Sequence, residues 1–311
     1  MGLARLLNTY LLAPLNLRLA RAALTDKKLV RALDERLKKL EKNSADVLAN
    51  LARREKRLAS LDRRLRVHEA DQDAFFSLAR HFSPRTAIGY PKIRIGRPND
   101  GGYVQLEDFD GISAAFSFGV GKDASWDVAI AERGIPTFQF DHTIEASPET
   151  HAKLRFFPQK IVGTPEEDGV TIGALLDFYG GDGDATNLLK IDIEGEEWPV
   201  FANADPRHLR RFSQIVCEFH NFHLAGNTGW YQAAKWAMEN LATDFEVIHV
   251  HANNNSNYVL VGNVPFPQTL EVTFANRSRY QFTECSETFP TPLDQANKSD
   301  VADFYLGRFQ F

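Results

Sequence analysis

Two different periodicities divide the chain. From Val30 onward, residues recur at alternating steps of three and four: Leu33, Leu37, Leu40, Ser44, Val47, Leu51, Arg54, Leu58, Leu61, Leu65, His68, Gln72 and Phe75. Ten of these fourteen seam positions are apolar, Lys, Arg, Glu and Asp fill most positions between them, and no Gly or Pro interrupts Thr25 to His81. That pattern predicts a coiled-coil helix over residues 26–80. About fifty residues at ~1.5 Å each would make a rod on the order of 75 Å. A lone charged helix folded back on the rest of the chain is the alternative, since the acidic part beyond it could supply the surface; self-association into a homo-oligomer is the expectation. Ser44, Arg54 and His68 then read as devices that set register or strand number.

The stretch "FSPRTAIGYPKIRIGRPNDGGYV", with three prolines and four glycines, marks a junction. Beyond it strands and helices alternate. "ISAAFSFGVG" reads as a strand entering a glycine turn, "DASWDVAIAERG" as a helix stopped at Gly134, and "IPTFQFDHT" as a strand ending at Asp141. "PQKIVGT" reads as a third short strand and "TIGALLDFYG" as a helix. "NLLKIDIEG" and "RFSQIVCEFH" are further strands, and "GWYQAAKWAMENLATD" is a helix. The last two strands, "FEVIHVHANNN" and "QTLEVTFANR", have no helix between them and should pair antiparallel at one edge. Such alternation predicts an α/β domain over 81–311, with a mostly parallel sheet covered on both faces. The tail after Tyr280 shows no readable pattern beyond polar loops and a terminal aromatic cluster.

The chemistry collects at the predicted strand ends, where open α/β sheets bind ligands. In "NLLKIDIEGEEWPVF" an apolar run ends in Asp192 and Glu194, one residue apart; if the strand continues that far, both point to the same side. Gly195 then permits a turn, and acids follow at the start of a helix. Glu218 and His220 end the next strand with the same parity, and His249, His251 and Asn253 the one after. Such groups could supply a general base, hold a divalent cation, or bind hydroxyls. Each histidine could equally be an internally paired core residue, and Trp126 and Trp198 read as packing residues. Gly119 and Gly121 stand where a buried strand turns into a helix, a place for close approach to a ligand or simply for a tight turn. About twenty residues on, Asp141 occupies the strand-end position from which a carboxylate bonds ribose hydroxyls. The third glycine of a dinucleotide fingerprint is replaced by Ala124. Asn99 to Gly102 read as a covering loop or an ordinary turn.

The blocks "GRPNDGGYV", "FSFGVGKDASW", "FQFDHTIE", "LLKIDIEGEEW", "VCEFH" and "HVHANNN" follow one another as in FkbM-type class I S-adenosylmethionine-dependent methyltransferases, which this chain resembles from about Ile93 to Asn276. The resemblance implies a Rossmann-like seven-stranded sheet with an edge hairpin, preceded here by the long N-terminal coiled-coil helix. It implies S-adenosylmethionine at the strand tips, against Gly119 and Gly121, with Asp141 on the ribose, His142 and Thr143 flanking the adenine, and Asp192 near the transferring methyl. It also implies O-methylation, often of sugars, so a glycan or other small hydroxyl compound is the expected acceptor. Asp192, Glu194, His220 and His251 are the candidate catalytic residues, with a divalent metal left open. One departure is Ser117, which stands where general class I methyltransferases commonly carry an acid. Matched blocks of this type, and the missing third glycine, speak against a dehydrogenase.

Charge refines the picture. Residues 1–85 hold 19 Lys and Arg against 10 Asp and Glu, which leaves a net −14 on residues 86–311 of a chain whose total is −5. Nucleic acid is therefore not an expected partner of the α/β domain. Only Cys217 and Cys285 occur, without CxxC spacing, which fits a reducing, cytoplasmic setting. Residues 1–24 lack a spanning apolar run but could lie on a membrane as an amphipathic segment. From a different class comes a competing reading, a tethering protein whose coiled coil does the work while its α/β domain binds a nucleotide-like ligand without turnover. Mutual burial of the acids and histidines in ion pairs would favour that reading.

Overall fold

The computed structural model describes residues 27–66, 72–261 and 264–311. The proposed amphipathic segment and the seam position His68 lie outside them. Two units divide at Arg63/Arg64. In the first, helix α1 (Lys27–Arg66) follows the heptad pattern without a break. Leu40, Val47, Leu48 and Leu51 stand exposed on it. Among the described residues no helix is long and apolar enough to cross a membrane.

The second unit begins its packing with α2 (Gln72–Ala79). Phe75, the last position of the predicted seam, is not a coiled-coil residue. It is buried and meets the edge of Phe266, with ring centroids 5.1 Å apart, so apolar burial in the globular unit takes over from the heptad before this point.

Seven strands form the central sheet: β1 (Ile112–Phe118), β2 (Thr137–Phe140), β3 (Leu154–Phe157), β4 (Thr186–Ile191), β5 (Phe212–Phe219), β6 (Phe245–Ala252) and β7 (Leu270–Asn276). Their order is 3-2-1-4-5-7-6. β3, β2, β1, β4 and β5 run parallel, while β7 is antiparallel to both of its neighbours. The expected antiparallel pair of last strands is present at one edge, with β7 between β5 and β6 and β6 outermost. A second ribbon, Tyr258–Val261 with Val264–Pro267, lies between β6 and β7 in sequence.

The third strand differs from expectation. "LRFF" joins the sheet beside β2, whereas Lys160–Ile161 pairs with Gly169–Val170 in a separate small ribbon. The reason is aromatic. Phe157 stacks on Phe140 with centroids 5.0 Å apart, and both meet Tyr179 of the following helix, a contact the two-residue Lys160–Ile161 strand has no ring to make.

Side chains of the parallel strands alternate between two apolar layers, because successive residues point to opposite faces. Phe116, Phe118, Leu189, Ile191, Ile215, Cys217 and Phe219 enter the larger layer; Ala115, Leu188 and Val216 enter a smaller one with Tyr103, Trp126 and Ile130. Trp126 and Trp198 are both core residues. Lys190 and Asp192 share the parity of Leu188, so the smaller layer ends in polar groups at the strand tips.

Candidate active site

Registry creates the site. Glu218 of β5 lies directly opposite Glu271 of β7, which lies opposite His251 of β6, and Asp192 follows the β4 residue paired with Cys217. Three carboxylates and an imidazole thus stand side by side across four strands. Like charges directly opposite repel. The fold relieves this by protonation and by donors from elsewhere in the chain. Burial and then Asp192 push the Glu218 carboxyl well above its usual range, which favours its protonated form. Asn253 Nδ2 donates to Glu218 Oε1 at 2.6 Å, and Asn297 Nδ2 donates to Glu271 Oε1 at 2.5 Å.

His251 is sealed within this arrangement. Its Nδ1 lies 3.0 Å from Glu271 and its Nε2 3.1 Å from Asp303. Burial alone would lower its pKa, but Glu271 and Asp303 raise it to about 10. His249 is likewise a core residue, 2.8 Å from Asp294 and edge-on to Phe289. Neither reaches the cleft described below, because the segment 289–303 covers both. The chain tail that shows no pattern in sequence is what holds these histidines.

His220 is different. Nδ1 donates to Glu197 Oε1 at 3.1 Å, while Nε2 lies 3.7 Å from Glu194, 3.8 Å from Glu218 and 3.9 Å from Asp192. Burial would lower its pKa; the Glu197 hydrogen bond and the surrounding carboxylates overcome this and raise it to about 10. It is an imidazolium at neutral pH, so it donates and cannot accept a proton there.

The acidic tip of β4 is shaped by backbone. The strand stops at Ile191, so the same-side argument for Asp192 and Glu194 fails as stated; Glu194 takes φ 59° and Gly195 φ 112°. A non-glycine residue in the left-handed region is strained and is held only when its surroundings determine it. Glu197 Oε1 does part of that by accepting the Ile193 N–H at 2.8 Å. The turn nevertheless brings both acids to the cleft, Asp192 partly sheltered and Glu194 at 89% side-chain exposure.

The cleft, about 490 Å³, opens at the tips of β1, β2 and β4. Gly119, Gly121, Asp141, His142, Thr143, Asp192 and Glu194 all line it, with Asp100, Tyr103 and Lys190. Gly119 (φ 74°) has a packing reason for being glycine, since a Cβ would collide with the Asp192 carbonyl oxygen. Gly121 (φ 56°) has none, since a Cβ there would meet nothing within 4 Å and would project into open space. Asp141 organises the turn: Oδ2 accepts the N–H groups of Val120 (2.9 Å) and Gly121 (2.8 Å), and Oδ1 accepts from Thr143 N (2.8 Å) and Oγ1 (2.6 Å). Burial pushes its pKa up, but those bonds prevail and hold the carboxyl below its usual range.

Two cleft residues, Lys190 and Tyr103, lie within the quoted sequence blocks but carry no pattern that singles them out. Lys190, inside what reads as an apolar strand, donates to the Gly119 carbonyl at 2.7 Å and lies over the Tyr103 ring at 5.7 Å. Tyr103 Oη donates to Asp192 Oδ2 at 3.3 Å, and burial together with Asp192 keeps the phenol protonated. Asp192 itself is raised to about 6: burial raises it, Lys190 and His220 oppose, and Glu197 and Glu194 add to the rise.

Among the described residues, Asp192, Glu197 and His220 offer atoms within 4.8 Å of one another, as do Asp100, Glu218 and Glu271. Neither set fits a divalent cation well. In the first set His220 Nδ1 is already engaged by Glu197, so an ion there would have to displace the proton they share. In the second, Asn253 donates to Glu218, while Asn297 and His251 bond Glu271, so their lone pairs are partly taken by the protein.

No curated protein matches the chain. One solved chain that this one matches is a candidate hemolysin from Streptococcus thermophilus, 10% identical, covering 64% of this chain and 75% of that one at a TM-score of 0.30, too loose an overlap to carry any argument. The methyltransferase FkbM domain matches residues 84–268, more than half of the chain and nearly all of the sheet that builds the cleft. With its glycine turn, its carboxylate at the tip of β2 and its acids at the tip of β4 in one cleft, the chain belongs to the FkbM methyltransferase family.

Proposed function

We propose that this methyltransferase moves a methyl group from S-adenosylmethionine to a hydroxyl of a sugar or polysaccharide. Family membership supports the cofactor, and one feature of the cleft supports its placement: Gly121 leaves room where a side chain would otherwise project. Gly121 and the Val120–Gly121 turn hold the amino-acid end, Asp141 takes the ribose, and His142 and Thr143 flank the base. When bound, S-adenosylmethionine supplies a methyl carbon on a positively charged sulfonium, which is already electrophilic.

The observation that carries the acceptor assignment is that Asp100, Asp192, Glu194 and Glu196 all line the cleft, which also holds Arg97, Lys122, Lys160 and Lys190. Carboxylates are acceptors for neighbouring hydroxyls, as a sugar presents them. Asp192 takes the hydroxyl proton. Its pKa of about 6 leaves it ionised at neutral pH yet basic enough to hold a proton in the transition state. His220 positions Asp192 by charge and does not itself act as base. His251 supports Glu271 from outside the cleft.

Incubation with labelled S-adenosylmethionine and fractionated glycans of the source cell tests this. Label should appear in O-methyl sugar, turnover should survive EDTA, and Asp192→Asn should bind the cofactor while losing most turnover. Label confined to protein, or an Asp192→Asn variant at the parental rate, would overturn the reading. The tethering alternative has His251 in its favour, since it is buried in an ion pair, whereas burial lowers the pKa of His249 and leaves it a hydrogen-bonded core residue; Asp192 and Glu194 remain on the cleft.

A further inference from the structure

Helix α1 presents Leu40, Val47, Leu48 and Leu51 to solvent, at 66%, 57%, 62% and 49% exposure. Single exposed apolar residues need no explanation, but a repeating stripe of them along one helix does. The alternating three and four steps make Ser44 and Leu51 a positions and Leu40, Val47 and Arg54 d positions. The flanks of that seam decide what covers it. On one flank, the g positions read Arg36, Asn43 and Asn50, and in sequence Arg57 and Arg64 continue them. On the other, the e positions read Glu41, Leu48 and Glu55, with Asp34 and Asp62 in sequence before and after. No acid occupies a g position from Arg36 to Arg64, and no base occupies an e position from Asp34 to Asp62.

This segregation selects an orientation. In a parallel pair each g residue faces the e residue five places on in its partner, which joins Arg36 to Glu41, Asn50 to Glu55 and Arg57 to Asp62 on both sides of the seam. In an antiparallel pair g faces g and e faces e, which sets Arg against Arg and acid against acid. We propose that α1 docks on α1 of a second copy of this chain as a parallel, in-register, two-stranded coiled coil. Two strands, not more, suit the seam, because Ser44 and Arg54 keep contact with water at the margins of a pair. Ser44 is already satisfied within its own helix, where Oγ donates to the Glu41 carbonyl at 2.8 Å.

Parallel pairing has a functional consequence. Both chains leave the coil at the same end, so two methyltransferase units are tethered together. A polymer with repeated acceptor sites then meets a bivalent enzyme, whose second contact forms at a high local concentration.

The test uses the full chain. Light scattering at micromolar concentration should give twice the 35.1 kDa of one chain. A Leu40→Cys variant, in a Cys285→Ser background, should form an interchain disulfide under mild oxidation, since d faces d in register. Arg36→Glu or Glu41→Arg alone should weaken dimerisation about tenfold, as two attractive pairs become repulsive. Both together should restore it. A monomeric mass or a trimeric mass overturns the proposal. So does failure of Leu40→Cys to cross-link, or a single reversal that tightens association, which is the antiparallel signature.

Discussion

Nδ1 of His220 lies 3.1 Å from Oε1 of Glu197, a carboxylate with no exposed surface, and the same oxygen accepts the Ile193 N–H. One carboxylate therefore fixes both the charge of His220 and the strained turn that presents Asp192 and Glu194.

The pair has a definite pH signature. The folded-state pKa of His220 is raised to about 10 from 6.5. Its contribution to stability is full below the unfolded value and is lost as pH rises toward 10. Urea midpoints should therefore fall between pH 7 and 10. Glu197→Gln should flatten that decline and cost roughly 3–5 kcal/mol near neutrality, the range for breaking a buried pair. A variant with parental stability and an unchanged pH slope would show that the pair is not formed.

Asp192 predicts the opposite limb. Its pKa is raised, so the carboxylate is lost as pH falls through about 6, and kcat/KM should fall there. A raised carboxyl takes up its proton earlier in the folded state than in the unfolded one, so between pH 6 and 4 this group adds stability as pH falls. Activity should thus drop while the contribution of Asp192 to stability does not. Comparing pH–rate profiles with unfolding curves of the parent and Asp192→Asn checks both halves.

The two glycines of the turn should separate fold from binding. Gly119→Ala drives a methyl into the Asp192 carbonyl and should destabilise the fold by several kcal/mol, of the order seen for severe backbone strain. Gly121→Ala meets open space, so its cost is the left-handed backbone alone, about 1–2 kcal/mol. Its cofactor affinity should nevertheless fall steeply. Thermal unfolding and calorimetry read the two effects; full affinity in Gly121→Ala would place the cofactor elsewhere.

How much of this is legible in sequence depends on how far apart the partners lie. Gly119, Gly121 and Asp141 lie within twenty-three residues, and their strand–turn–helix setting follows from local pattern. His251 could not be assigned in the same way, because what decides its role, Asp303, lies 52 residues away in a tail without periodicity. Lys190 was hidden for a different reason: one lysine in "NLLKI" does not change a strand reading, and only the smaller layer around Tyr103 shows why it is there. "LRFF" lost to "KIVG" because alternation does not register an aromatic stack formed with Tyr179. Spacing alone carries the heptad on to Phe75, because that residue fits a seam and the globular core equally well.

Asp141 poses the sharpest separation of roles. Its oxygens already accept four protein hydrogen bonds, so removing them unties the turn whether or not ribose binds there. Asp141→Ala should cost about 1–3 kcal/mol of stability, the penalty for leaving buried donors unpaired. Affinity for S-adenosylmethionine should fall tenfold or more, about 1.4 kcal/mol or above. Neither number alone assigns the ribose. A ligand pair does: the parent should bind adenosine more tightly than 2′,3′-dideoxyadenosine, and Asp141→Ala should lose that preference. If the variant weakens both nucleosides equally, the interaction energy of the cycle is zero. Asp141 would then be a fastener of the glycine turn, and the ribose would have to be held by another group in the cleft.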